Sequence, residues 1–99
     1  MPVLLTFDVS TNQTAITQEL RKLGYTHTLH DSTNRPVYLP ATTLVTHRAG
    51  ATAQTAVDDL RRAINNVNAL TPVRIVLERA FTTEFGPAWS GIFGVATGL

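Results

Sequence analysis

Val3-Leu4-Leu5-Thr6-Phe7-Asp8-Val9-Ser10 alternates apolar Val3, Leu5, Phe7 and Val9 with Leu4, Thr6 and Asp8. That period of two is the signature of a strand with two unlike faces. Successive strand side chains point to opposite faces, so Asp8 lies opposite the Phe7 and Val9 face. An acid there is unexpected, because Asp is depleted in strands and costly to bury alone. Two readings follow. Asp8 is either a solvated strand end preparing the turn at Ser10-Thr11-Asn12, or a catalytic or metal-binding carboxylate at the lip of a sheet.

After this strand, Ser10 and Gln13 stand at capping-box spacing, with Asn12 a second N-cap candidate. Ile16, Leu20 and Leu23 then recur at helical spacing, and Gly24 suits the left-handed position just past a helix end. Tyr25 to Asp31 reads as a second strand, rich in Thr, Tyr and His. Asp31 to Pro36 is dense in turn formers, and Val37-Tyr38-Leu39-Pro40 is extended by its proline. Thr42 to Arg48 carries four β-branched residues and reads as a third strand.

Thr52 is the expected N-cap of a second, longer helix with a buried stripe of Ala53, Ala56, Val57, Leu60, Ala63, Ile64 and Val67. Asp58 can pair with Arg61 or Arg62 on its exposed side, where the two arginines read as a solvated face rather than a phosphate site. Val73 to Phe81 is the expected fourth strand, with Val73, Ile75 and Leu77 on one face and Arg74, Val76 and Glu78 on the other. The remainder mixes Phe85, Trp89, Ile92 and Phe93 with glycines, so it either folds back over the core or docks on a second subunit.

Length and composition bound the class. A chain of 99 residues with 43% hydrophobic content allows one domain and one modest core. There is no apolar run long enough to cross a membrane and no signal-peptide pattern, so a cytoplasmic setting is the default expectation. Zero cysteines exclude disulfides and thiolate metal sites. A net charge of +1 supplies no general field for nucleic acid, although six arginines fall between positions 35 and 79 and allow a local patch.

The element order is strand, helix, strand, strand, helix, strand. It predicts a ferredoxin-like α+β domain over residues 1–81, a four-stranded antiparallel sheet with two helices on one face, followed by a Gly- and aromatic-rich extension over 82–99. In that topology the end of the first strand (Asp8, Ser10) shares a rim with His30, Asp31, Thr42, Thr43 and Arg74, while His47 and Arg48 fall at the far rim. Asp8 is expected on the helix-free face with Arg74 and Glu78. Leu4 and Val76 would give that face the apolar area for a homodimer, bringing two Asp8 carboxylates toward a two-fold axis. Two carboxylates and water can hold Mg²⁺, which would polarise a phosphodiester and activate a water.

VLLTFDVS, the helix ending KLGY, and this element order resemble the small CRISPR-associated adaptation nucleases (the "Cas two" proteins) over roughly residues 3 to 81. They also resemble that fold's relatives, the GhoS-type antitoxin endoribonucleases and a group of small bacterial proteins of which Leu39-Pro40-Ala41-Thr42-Thr43-Leu44 is most reminiscent. The resemblance implies a ferredoxin-like homodimer and a metal-dependent endoribonuclease. Asp8 would hold Mg²⁺ across the two-fold axis with Ser10 as a second catalytic residue, Arg74 and Arg35 would hold RNA phosphate, and Thr43 would stand beside them. Two features depart from the family: Ser32 to Leu39 lacks its aromatic-rich second-strand pattern, and the Gly-rich tail is unlike its C-terminal pairing strand. The alternative is a non-catalytic dimeric module of the same fold, binding a partner protein or a small ligand, in which Asp8 only caps a strand.

Other constellations point elsewhere. His27 and His30 face apart on a regular strand, and His47 is expected at the other rim, so a zinc site is disfavoured. No glycine-rich phosphate loop precedes either helix, and Ser10, His30 and Asp31 do not assemble a triad. The expected open-face residues of the first and fourth strands include no aromatic to stack RNA bases.

Overall fold

Strand β1 (Val3–Val9) forms where the alternation predicts it: Val3, Leu5 and Phe7 are buried, Leu4, Thr6 and Asp8 only partly so. The computed structural model describes residues 2–86 and 89–90. Helix α1 (Gln13–Lys22) follows, ending at Leu23 and a left-handed Gly24 with φ +96°. Its start differs from the expected capping box. Asn12 takes the N-cap position in a left-handed conformation without a side-chain cap bond. Ser10 turns its hydroxyl to the Val76 backbone instead. Helix α2 (Ala53–Asn68) starts as expected at Thr52, whose side chain accepts from the Thr55 N–H at 3.1 Å.

Between the helices the chain departs from the expected second strand. Only β2 (Tyr25–Thr26) joins the main sheet, while β3 (Thr28–His30) pairs with β4 (Pro36–Tyr38) in a separate antiparallel hairpin. The break is at His27, a buried bend residue bonded through Nε2 to the Ala41 carbonyl at 2.7 Å. The His27 carbonyl also accepts from the Leu39 N–H at 2.7 Å. These bonds tie both ends of the hairpin to one point, so it leaves the sheet plane.

Strand β5 (Thr43–Thr46) and strand β6 (Leu77–Glu84) complete a four-stranded antiparallel sheet in the order β2-β5-β1-β6. Two helices and this sheet make a small α+β domain compatible with a ferredoxin-like fold. The last strand begins four residues later than expected, because 73–76 is irregular. Its register against β1 shifts between Asp8, opposite Arg79, and Val9, opposite Leu77, leaving Glu78 as a bulge.

The main core lies between sheet and helices and includes Val3, Leu5, Phe7, Ile16, Leu20, Leu44 and Leu60. Val45 is fully buried too, yet it pairs with Leu4, whose side of the sheet is the other one. What covers that side is the hairpin, through buried Leu29 and Val37. One end of the face without helices is therefore already occupied. Among the described residues no helix is long and apolar enough to cross a membrane. The expected extension lies mostly outside the described residues.

Candidate functional site

Among the described residues, the helix-free face of the sheet has an uncovered end around Asp8 and a covered end around Leu4. At the uncovered end, Asp8 Oδ2 accepts from Arg79 Nε at 2.6 Å, the two residues standing directly opposite across β1 and β6. The Asp8 side chain is 45% exposed and that of Arg79 75%. Asp8 thus leaves the strand on the expected face, but its neighbours differ. Arg74 falls in the irregular segment before β6, and the bulge at Glu78 flips the alternation so that Arg79, not Glu78, shares the face of Asp8. The same flip puts Phe81, 62% exposed, opposite Thr6 on this face, which corrects the expectation that it carries no aromatic.

Thr43 does reach this end: it pairs with Thr6, and its hydroxyl donates to Thr6 Oγ1 at 3.4 Å. Ser10 is engaged by the backbone. Its Oγ accepts from the Val76 N–H at 2.9 Å and its N–H donates to the Val76 carbonyl at 3.0 Å, continuing the strand pairing past the bulge. Val76 belongs to this irregular join before β6, opposite Ser10, and is 55% exposed. Arg35 belongs to the hairpin turn, where Asp31 Oδ1 accepts from the Thr33 and Arg35 N–H groups and the Arg35 guanidinium donates to Thr33 Oγ1. These bonds hold the Asp31 carboxyl below its usual range, the Arg35 N–H contributing most.

The expected rim is rearranged as well. His30 shares a cavity with His47 and Pro2, at the end of the sheet where β1 begins, so His30 and Asp31 are not beside Asp8. The bend at His27 is the reason, since a straight strand would have carried His30 the other way. Among the described residues no group of three or more His, Asp or Glu is placed to hold a metal ion.

The covered end contains two adjoining cavities that share Leu29, Phe85 and Trp89. One, of about 370 Å³, has His30 and His47 at its wall; the other, of about 250 Å³, is lined by Leu4, Val37, Leu39 and Thr83 besides the shared residues. Leu4 was expected to offer free apolar area to a second copy. It faces this cavity instead, because the hairpin folds over it.

Sequence reasoning did not identify a polar cluster behind the sheet. Asp59 of α2, only 6% exposed, accepts from the Tyr25 hydroxyl at 2.9 Å and from Arg48 Nη2 at 2.7 Å. Burial and the Asp59 bond push the Tyr25 hydroxyl pKa upward. Arg48 also donates to the Leu23 carbonyl at 2.6 Å, closing the end of α1. The available signal was helical spacing, since Asp59 falls three residues after buried Ala56 and next to Leu60. This cluster is structural: every charged or hydroxyl group in it is turned to another.

No protein-family model matches this sequence, and no curated protein and no solved structure matches it.

Proposed function

We propose that this chain is a ferredoxin-like module that acts by binding rather than by catalysis, taking a small, largely apolar ligand between its hairpin and its sheet. The observation that carries this reading is the pair of cavities meeting at Leu29, Phe85 and Trp89. Ligand sites are concave and mainly apolar, with a few polar groups that fix orientation. Leu4, Val37 and Leu39 supply the apolar wall, and His30 and His47 offer donors at one end for an anionic group such as a carboxylate. The Asp8–Arg79 pair supports the same reading, because the guanidinium already gives Asp8 the positive neighbour that a metal ion would provide.

Trp89 is the chain's single tryptophan, so its fluorescence reports the cavity directly. Titration with 1-anilinonaphthalene-8-sulfonate and with aromatic carboxylates is expected to change that emission saturably. Leu39→Lys, at a half-buried lining position, is expected to weaken binding by about tenfold or more while the chain still folds. No saturable response to any of these probes overturns the proposal.

A second reading keeps Asp8 as the ligand of Mg²⁺ in an endoribonuclease, with Ser10 and Thr43 nearby and Arg35 and Arg74 drawn to phosphate. One observation favours it, the exposure of Asp8 on the uncovered end of the sheet. Labelled RNA incubated with the full chain and Mg²⁺ or Mn²⁺ separates the two. Cleavage that is lost in Asp8→Ala establishes the hydrolase, and absence of cleavage leaves the binding module.

A further inference from the structure

We infer that β6 is a self-association edge, along which a second copy of this chain lays its own β6 antiparallel. The argument begins with the direction of backbone groups. The Phe7 N–H donates to the Thr42 carbonyl, so Phe7 spends its backbone groups on the β5 side. Its opposite number in β6, Ala80, consequently turns its N–H and C=O away from β1, and the alternation of an antiparallel ladder does the same at Thr82. β6 is the last strand of the sheet, and no backbone partner meets these outward groups among the described residues.

Edge strands are normally blunted by proline, by charge or by a bulge in mid-strand. Between Arg79 and Thr83 this one has no proline, its bulge is confined to Glu78, and its only charge, Arg79, is met within the chain by Asp8. The opposite edge, β2, is two residues long and offers no comparable template.

The side chains select both the occupant and the register. Phe81 stands in the middle of this edge at 62% exposure, among the largest exposed apolar groups described. With the two-fold axis at Phe81, outward Ala80 meets outward Thr82 of the copy and the two exchange both backbone hydrogen bonds. Phe81 turns its own N–H and C=O toward Thr6, so the two Phe81 residues form the narrow, non-hydrogen-bonded pair, in which side chains approach most closely. Cross-strand aromatic pairs are favourable in that geometry. Arg79 then faces Thr83 of the copy, so no two arginines oppose. Glu84 would lie opposite Glu78, but Glu78 is bulged out of the ladder and Glu84 is turned to the Ala53 N–H at the start of α2. Two four-stranded sheets would thereby join into one continuous sheet.

The test uses the full chain, which lacks cysteine. Phe81→Cys is expected to form a covalent dimer rapidly under mild oxidation, since Cα atoms in such a pair lie about 4.5 Å apart, within the roughly 4.4–6.8 Å a disulfide spans. Thr83→Cys is expected to remain uncrosslinked, because its two copies would be roughly 14 Å apart at about 3.4 Å per residue. Sedimentation of the wild type is expected to show a concentration-dependent dimer. Ala80→Pro, which removes only an outward N–H, is expected to be monomeric with an unchanged circular dichroism spectrum. A wild type that is monomeric at all concentrations overturns the inference. So does a dimer indifferent to Ala80→Pro, or crosslinking through Thr83→Cys as fast as through Phe81→Cys.

Discussion

Asp8 and Asp59 each bond an arginine, at 2.6 and 2.7 Å, and differ chiefly in how much water they see. The Asp8 carboxylate is 45% exposed, so its Coulomb gain is screened and its pair is worth under about 1 kcal/mol. Asp59 is 8% exposed at its side chain, and it is also the acceptor for a tyrosine hydroxyl that is itself buried. Removing it strands the Tyr25 hydroxyl without a partner and leaves Arg48 uncompensated. Asp59→Ala is therefore expected to lose about 3 kcal/mol of stability and Asp8→Ala under about 1 kcal/mol, as read from urea unfolding midpoints. Equal losses would contradict this account of burial.

At the scale of the element, the hairpin β3–β4 holds the most consequential local structure. Its turn is organised by one carboxylate, which accepts from two backbone N–H groups and the Thr33 hydroxyl. The Asp31 carboxyl is lowered from its usual range by these bonds, so the charged form is the one the folded hairpin favours. The sign follows. This contribution is fully present above about pH 4, the unfolded value, and is lost as pH falls through the lower folded value. Amide exchange at Leu29 and Val37 is expected to quicken in Asp31→Ala while α2 amides keep their protection, and a pH near neutrality should suffice to see it. Uniform acceleration across both helices would show that the hairpin does not open separately.

For the molecule as a whole, the sheet carries apolar cover on both faces, but the two covers differ in kind. Helix α2 places fully buried Leu60 in the main cluster, whereas Leu29 sits on a two-stranded hairpin above a cavity. A core between rigid layers relaxes little around a deletion, and a short hairpin can settle. Leu60→Ala is expected to cost about 3 kcal/mol or more, and Leu29→Ala to cost less while altering ligand response at Trp89. Denaturant unfolding and the fluorescence titration measure the two effects separately.

How much was legible follows from the range of the forces involved. The alternation of Val3 to Val9, the stripes of the two helices, Thr52 as N-cap and Gly24 past the end of α1 are all set by neighbours within a turn or two of chain, so the sequence by itself determined them. The strand beginning at Tyr25 and the neighbours of Asp8 were not legible. His27 bends because the Ala41 carbonyl and Leu39 N–H reach it, and Arg79 lands beside Asp8, 71 positions earlier, because Glu78 bulges. An alternating pattern read along one strand carries no record of an extra residue accommodated against another. Only the tertiary pairing decided which cation met that acid and that the hairpin folds over Leu4.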